Sequence, residues 1–309
     1  MRELGLAVAP RTWRAWRTRP VAARTVSDAE ICDRLRALAT AGAGGRRAPE
    51  VMYGRRKMTD WLNRALAAQG RPPVSKHTVD RLMRQLGMRG LVRSRGVRTT
   101  VAGKKDVRRA KDLLKRCFSA CSPNQAWVTD FTYVPTWSGF CYVALAIDLY
   151  SRAIVGWSVA TVKDVPFVED CLKMALWRRD HTGRPVLPGM IHHSDAGSQY
   201  TSIRFTETLT LQGLSASIGS IGDAYDNAAA ETVMGLYKNE AIRADSPFRD
   251  GPLRTVTDVE KITTDYVDWY NNHRLHSSLG NHTPEEYEQA YYAQPPGPPP
   301  GDAANKKTA

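Results

Sequence analysis

The chain has 309 residues, of which 42% are hydrophobic, and its formal net charge is +13. It contains no run near the roughly 18 apolar residues that cross a bilayer and no apolar signal-peptide segment at its start, which excludes membrane-spanning and secreted classes. Its five cysteines form no CxxC pair, so neither a disulfide framework nor a zinc site is supported, and we expect a cytoplasmic protein without a membrane partner.

Residues 1–120 hold most of the positive charge, with 29 Lys and Arg against 9 Asp and Glu, whereas residues 121–309 hold 15 against 22. Plain solubilising charge is the alternative, but such an asymmetry favours a polyanionic partner. We therefore expect the first part of the chain to anchor double-stranded DNA.

An all-α helix-turn-helix DNA-binding domain is predicted over residues 25–95, after an N-terminal arm of residues 1–24. Apolar residues at helical spacing over residues 58–66 predict its second helix. A capping box at Ser27-Asp-Ala-Glu30 predicts the start of its first helix, with three apolar residues facing inward: Ile31, Leu35 and Leu38.

The third helix of this domain has the polar face of a helix that enters a DNA major groove. It is predicted from a Ser75 cap to Gly87, with apolar residues on the opposite face. Lysine, arginine and related side chains reach phosphates and base edges. We predict DNA contacts for four of its residues: Lys76, His77, Arg81 and Arg84. A structural bundle with a solvated face is the alternative.

Residues 96–122 are predicted to form a basic linker. Four of its cations are predicted to follow the phosphate backbone: Lys104, Lys105, Arg108 and Arg109.

Residues 123–245 are predicted to form an α/β core. Residues 128–134 alternate between two faces and place Asp130 in the middle of a strand, where a half-buried charge needs a partner or a metal. Apolar runs over residues 140–147 and 153–160 predict two more strands. The links between these three strands are short, so they form a meander.

Asp195 follows a short strand predicted over residues 190–194 and precedes a turn. Glu231 lies on a predicted helix that continues beyond Lys238. Seven residues make two helical turns, so Asn227, Glu231 and Lys238 share one face of that helix. We predict DNA contacts for Asn227 and Lys238.

Asp130, Asp195 and Glu231 are separated by 64 and then 35 intervening residues. Taken singly, each acid has a structural or solvated alternative. Together, three carboxylates can hold two divalent ions about 3.5–4 Å apart for phosphodiester chemistry, and Mg²⁺ or Mn²⁺ takes such oxygen ligands. We predict that these three residues are catalytic and bind the metals.

Three segments have a family resemblance: HSDAGSQYTS around Asp195, DNAAAETVMGLYK around Glu231, and YNNHRLHSSLGNHTPEEY over residues 270–287. On these segments, nearly all of residues 25–290 resembles the OrfB-type transposases of the IS-three family, whose catalytic domain is similar to retroviral integrases. The resemblance implies an RNase H-like core, which is a mixed five-stranded sheet with flanking helices. It places the first acid on the first strand, the second just after the fourth, and the glutamate on a later helix.

The resemblance also implies a metal-dependent DNA transposase with two Mg²⁺ or Mn²⁺ ions per active site. Such an enzyme binds the terminal inverted repeats of a mobile element and target DNA, cleaves at the 3′ ends of the element and joins the 3′-hydroxyls to DNA. Because two ends of the element must be brought together, the resemblance implies a homo-oligomer, a dimer or larger. It also implies a protein associated with the bacterial nucleoid. Relatives often act as frameshifted fusions, and the opening MRELGL resembles an interior helix, so an upstream OrfA region is an expected partner.

Two alternatives stay open at this point. One is an RNase H-like nuclease that only hydrolyses, against which Lys238 and the helix-turn-helix domain argue. The other is a catalytically idle DNA-binding regulator of transposition, against which the intact set of three acids argues.

Residues 246–292 are predicted to extend the core. Arg274 in this segment is a candidate phosphate contact, although packing explains its neighbourhood equally well. His192 and His193 adjoin Asp195, and we expect them to support the site rather than bind metal. Residues 293–309 are predicted to form a disordered, proline-rich tail.

Overall fold

The computed structural model describes residues 9–40, 45–92, 112–114, 117–195, 197–219 and 228–293. The chain divides into two compact units, residues 1–90 and residues 91–309. Most of the predicted linker and tail, residues 96–111 and 294–309, lies outside the described residues. The predicted domain boundaries stay predictions.

The first unit is helical. Its helices are α1 (Pro10–Thr18), α2 (Ala23–Ala39), α3 (Arg55–Ala67) and α4 (Lys76–Gln85), with a short 3₁₀ turn at Pro49–Met52. The three helices predicted from the sequence are confirmed as α2, α3 and α4. The inward residues predicted for α2 are buried, and α3 and α4 bury apolar residues toward them: Met58, Leu62, Leu66, Val79, Leu82 and Met83.

The predicted start of α2 at Ser27 is wrong. The helix begins four residues earlier, because the amides of Thr25 and Val26 already donate to the carbonyl of Ala22. Asp28 follows Ser27 inside the helix and pairs with Arg24 across one turn at 3.9 Å. The capping-box pattern is therefore present in the sequence, but these residues lie within the second turn of the helix.

Two local contacts fix the helix-turn-helix geometry. Asn63 on α3 donates to the carbonyl of Val74 at 3.2 Å and accepts from its amide at 2.8 Å, which holds the turn against α3. Ser75 then caps α4 as predicted, since its hydroxyl accepts from the amide of Thr78. Gly90 lies so close to Gly54 that a Cβ atom there would be 2.5 Å from the Gly54 backbone.

The second unit contains a five-stranded mixed sheet. Its strands are β1 (Ala126–Thr136), β2 (Gly139–Asp148), β3 (Ile154–Ala160), β4 (Ile191–Ser194) and β5 (Ser215–Ile218). The strand order is β3-β2-β1-β4-β5. The first three strands are antiparallel, as the predicted meander requires, and β4 is parallel to both β1 and β5. This is the RNase H-like arrangement.

The described part of the second unit also contains five α-helices. They are α5 (Val165–His181), α6 (Ile203–Leu211), α7 (Ala228–Tyr237), α8 (Val256–Asn272) and α9 (Pro284–Tyr292). A π-helical turn at Lys238–Ile242 continues α7. The main core includes Trp127 of β1, Phe167 and Leu172 of α5, and Phe205 of α6. Gly156 allows α5 to approach β3, because a Cβ atom there would be 2.4 Å from the carbonyl oxygen of Cys171.

A buried ionic cluster docks α9 against the rest of the second unit. Glu288 of α9 binds Arg179 of α5 through two hydrogen bonds of 2.6 Å and also accepts from Ser151 and Arg184. Asp148, at the end of β2, lies 3.6 Å from Arg179. Asp148 therefore has a structural environment.

Across the described residues, none of the helices is both long and apolar enough to cross a membrane.

Candidate active site

The register of two neighbouring strands brings Asp130 and Asp195 together. Val128 pairs with His193 and Thr129 pairs with Ser194 in the parallel β1/β4 ladder. One further step in the same register places Asp130 beside Asp195, and residues in register on parallel strands project to the same face. The two acids therefore meet where β4 ends, although 64 residues separate them in the chain.

The two carboxylates are held by backbone donors. Asp130 accepts from the amide of Phe131 at 2.8 Å, and Asp195 accepts from the amide of Gly197 at 3.0 Å. Gly197 permits this close approach, since a Cβ atom there would lie 2.9 Å from the Asp195 oxygen. One backbone donor leaves most lone pairs of each carboxylate for another ligand.

Asp130 lies in a concentration of negative charge. Burial raises the pKa of its carboxyl to about 7, and the charges of Asp195 and Glu231 act in the same direction. The Phe131 amide and the Lys238 ammonium oppose this rise. Burial also raises the pKa of Asp195, against the Gly197 amide and His193. A cation placed between these acids would relieve both their desolvation and their repulsion.

Helix α7 carries Glu231, and the π-helical turn that continues it carries Lys238. Its buried residues, Ala230, Val233 and Met234, pack toward the sheet, and α7 contacts β1. Glu231 and Lys238 are exposed, and both are near enough to change the pKa of Asp130. The Lys238 ammonium also lies 5.0 Å from the centre of the Tyr133 ring.

The fit of a metal to these acids is incomplete. The donor types suit Mg²⁺ or Mn²⁺, because hard divalent cations prefer carboxylate oxygens. Within the described residues, however, no group of three or more His, Cys, Asp or Glu side chains forms a set that could hold a metal ion. Asp130, Asp195 and Glu231 therefore lie near one another without forming a complete set of three ligands.

The two histidines beside Asp195 have supporting positions. His192 pairs with Thr129 through its Nε2 atom at 2.9 Å, which links β4 to β1. His193 pairs with Ser217 through its Nδ1 atom at 2.8 Å, which links β4 to β5. Both rings are buried. They stabilise the strands that position the acids.

The predicted DNA-contacting residues of α4 are exposed, but two of them have partners within the domain. Lys76 and His77 are exposed at the start of α4. Arg81 donates to both carboxylate oxygens of Asp28 at 2.8 Å, and Arg84 pairs with Asp80 one turn earlier. Exposed ion pairs contribute only about 0–1 kcal/mol, so phosphates can replace these carboxylates at small cost.

Arg274 requires a correction. The sequence offered it as a phosphate contact, but its side chain is only 5% exposed and binds both oxygens of Glu240 at 2.6 and 2.8 Å. Glu240 lies in the π-helical turn and is itself buried. Arg274 therefore ties the segment after α8 to the π-helical turn, and its guanidinium is buried rather than offered to DNA. The other predicted contacts lie outside the described residues: Lys104, Lys105, Arg108, Arg109 and Asn227.

The sequence interpretation missed an exposed aromatic group on the β1–β2 hairpin. Tyr133, Trp137 and Phe140 all have large exposed fractions. A signal was available, because Trp137 lies in a two-residue turn between strands, where polar residues are usual.

Comparisons with known proteins agree with this architecture. Residues 120–224 and 212–284 each match a family model described as "Integrase core domain", and residues 30–96 match one described as "HTH-like domain". The chain is 41% identical to a Mycobacterium tuberculosis protein assigned as the transposase of insertion sequence element IS986/IS6110, over 94% of this chain and 98% of that protein.

The chain is also 35% identical to the Escherichia coli transposase InsF of insertion sequence IS3A, over 76% of each protein. Among solved structures, it is similar to a chain of the simian T-cell lymphotropic virus intasome in complex with PP2A regulatory subunit B56 gamma. The TM-score is 0.47 at 16% identity, over 83% of this chain and 80% of that one.

Proposed function

Since the chain belongs to the OrfB-type transposases of the IS-three family, which are DDE polynucleotidyl transferases, we propose that Asp130, Asp195 and Glu231 are its catalytic carboxylates. The observation that supports this assignment best is the β1/β4 register, which sets Asp130 beside Asp195. The effect of Glu231 on the pKa of Asp130 adds the third acid to the same neighbourhood.

The proposed reaction is transesterification at phosphorus. Two Mg²⁺ or Mn²⁺ ions bound by the three carboxylates would supply activation of the attacking oxygen and stabilisation of the leaving oxygen. In the first step, water cleaves the bond at the 3′ end of the element. In the second, the freed 3′-hydroxyl attacks a phosphate of the target, and a 3′ oxygen of the target strand leaves. Every bond formed replaces one broken, so no covalent protein intermediate is required.

The remaining parts of the chain hold DNA for this chemistry. The HTH-like domain binds DNA, and we propose that its ligand is the terminal inverted repeats. Lys76 and His77 would contact the DNA directly. Arg81 and Arg84 would do so after phosphates replace their carboxylate partners. Lys238 would bind a phosphate next to the acids. We assign the same role along the backbone to the four linker cations named above and to Asn227.

The family supports three wider proposals. Joining two element ends calls for a homo-oligomer, a dimer or larger. Because relatives often act as frameshifted fusions, we also propose an upstream OrfA region as a partner. Because such an enzyme acts on chromosomal DNA, we also propose that the protein is associated with the nucleoid in the bacterial cytoplasm.

An assay with the full chain and element ends separates this function from its alternatives. Pre-cut ends that expose a 3′-hydroxyl are mixed with a labelled target duplex in Mg²⁺. A transposase gives covalently joined products. A nuclease gives only shortened strands, and an idle regulator gives binding without either product, so each of these results would contradict the proposal.

A further inference from the structure

The β1–β2 hairpin, which continues the strand that carries Asp130, presents aromatic rings to solvent. Trp137 is 72% exposed, Phe140 58% and Tyr133 48%. Tyr133 pairs with Tyr142 and Pro135 with Phe140, so the rings of Tyr133 and Phe140 lie on one face of the hairpin. Their centroids are 5.6 Å apart in an edge-to-face arrangement. Soluble proteins seldom leave such rings together in water without a binding role.

Cations accompany these rings. The Lys238 ammonium lies 5.0 Å from the Tyr133 centroid, and the Arg254 guanidinium lies 5.4 Å from the Trp137 centroid. An open groove beside the hairpin is lined by Tyr133, Lys238 and Arg243 among others. Exposed rings with cations beside them suit a ligand that has both flat apolar faces and negative charges, which describes a nucleic acid strand.

Backbone hydrogen bonds hold the tip of the hairpin in place. The amide of Trp137 donates to the carbonyl of Leu253 at 3.0 Å, and the amide of Ser138 donates to the carbonyl of Arg254 at 3.0 Å. The Thr136 hydroxyl closes the turn by donating to the carbonyl of Gly139 at 2.7 Å. The segment before α8 thus holds the backbone that presents Trp137. A rigid platform loses little entropy when it binds a ligand.

The platform lies within a few nucleotides of the acids. Strand β1 rises about 3.3 Å per residue, so Tyr133 lies about 10 Å from Asp130 along the strand, and Thr136 about 20 Å. Tyr133 and Asp130 project from opposite faces of β1, and the Lys238 ammonium lies close to both. β4 ends at Ser194, and the β1/β4 pairing ends at Thr129, so the hairpin side of β1 is not covered by β4. Stacked nucleotides rise about 3.4 Å each, which puts the rings roughly three to six nucleotides from a phosphate at Asp130.

We propose that Trp137 and Phe140 form a stacking platform for unpaired DNA bases that flank the reacting phosphate. This proposal rests on the proposed function, because it assumes that the phosphate is held at Asp130. Base pairs in a duplex hide their faces from protein rings, so the platform selects DNA whose strands are separated next to the reaction point. Tyr133 and Lys238 form the side of the platform nearest the acids.

The test measures binding of the full chain to two DNA ends without divalent metal. One end has a flank of about six unpaired nucleotides, with 2-aminopurine near the middle, and the other is the same sequence fully paired. We expect about tenfold tighter binding to the unpaired flank, with quenched 2-aminopurine fluorescence. Trp137→Ala and Phe140→Ala should each lose most of that preference and of the quenching, whereas Trp137→Phe should keep much of both.

Trp177→Ala is the matched control. Trp177 is also an exposed tryptophan, at 60%, but lies on α5 beside Arg178, which contacts Ile154 at the end of the sheet remote from the hairpin tip. This variant should bind like the parent chain. Trp137 and Phe140 are exposed, so their alanine variants should also keep the parent's thermal unfolding temperature.

Three results separate the possible failures. An equal preference for unpaired flanks in the parent and in Trp137→Ala overturns the platform. If Trp137→Ala changes the sedimentation of the chain and leaves the preference intact, the rings contact a second copy of the chain and the proposal fails. If quenching and preference are present but pre-cut ends are never joined in Mg²⁺, the proposed chemistry fails and the platform stands.

Discussion

His192 shows how a single residue makes the stability of this site depend on pH. Its ring is buried, and burial lowers its pKa from 6.5 to about 4, with the charge of His193 acting in the same direction. As pH falls, the unfolded chain therefore takes up a proton before the folded chain does. The stability contributed by the neutral ring is complete above pH 6.5 and is lost between pH 6.5 and about 4.

Replacing this ring should flatten that pH dependence. We expect His192→Gln to lose about 2–3 kcal/mol less free energy of unfolding than the parent between pH 7 and pH 4.5, measured by urea denaturation. His181→Gln, which removes an exposed histidine of α5, should keep the parent's dependence. Equal losses in the parent and in His192→Gln would show that His192 is not the group responsible.

Lys238 should act on DNA and not on folding. It is exposed, lies over Tyr133 and is near Asp130. Lys238→Ala should weaken binding to element ends and reduce joining at limiting DNA, while the free energy of unfolding changes by no more than about 0.5 kcal/mol. Lys261→Ala removes a similarly exposed lysine of α8 and serves as the control. Equal DNA binding by the two variants would refute the assignment.

The contrast between Lys238 and Arg274 shows what the sequence can reveal about a residue. Lys238 follows Glu231 by two turns of a helix, so a local sequence pattern is enough to predict that the two residues share a face. The buried side chain of Arg274 is paired with Glu240, which lies 34 residues earlier in the chain. That pairing depends on how α8 packs against the π-helical turn, and no local pattern in either segment indicates it.

At the level of elements, patterns of hydrophobicity located the strands better than the helix ends. Alternation and apolar runs predicted β1, β2 and β3, and their antiparallel order is confirmed. The start of α2 was missed because helix formation continued upstream of a good capping sequence. β5, with the sequence Ser-Ala-Ser-Ile, was also missed, since four mostly small residues show no period.

The docking of α9 can be tested with two glutamates of the same helix. Glu288 is fully buried and binds both Arg179 and Arg184, so Glu288→Gln leaves Arg179 with only the longer contact to Asp148 and should lower the free energy of unfolding by about 3–5 kcal/mol. Glu285 binds Arg184 at the margin of the cluster, and Glu285→Gln should cost about 1 kcal/mol or less. Similar denaturation midpoints for the two variants would contradict the buried-pair account.

At the level of the whole molecule, positive charge is concentrated in the part of the chain that precedes the sheet. The basic residues are concentrated in residues 1–120, whereas the sheet and its helices belong to a part of the chain with net negative charge. The count of charges predicted the basic part, and the family resemblance predicted the RNase H-like core, which the mixed sheet confirms. Residue patterns could not predict the placement of Glu231, because it depends on how α7 packs against β1.

Binding to element ends should therefore be strongly salt-dependent. If six or more phosphates are engaged, affinity should fall on the order of 10³-fold or more between roughly 50 and 200 mM salt. Lys76→Ala should reduce the slope of log affinity against log salt by about 1. A shallow slope in the parent chain, measured by fluorescence anisotropy, would show that phosphate neutralisation is not the main source of affinity.

The most direct measurement of the central claim uses pre-cut element ends with a free 3′-hydroxyl, which require joining but no hydrolysis. Asp130→Asn, Asp195→Asn and Glu231→Gln keep side-chain size but remove the charge that would hold metal. Each should lose joining in Mg²⁺ while still binding the ends in Ca²⁺, and Asp170→Asn, at an exposed acid of α5, should join them normally. Joining by any of the three variants at the parent's rate would contradict the account.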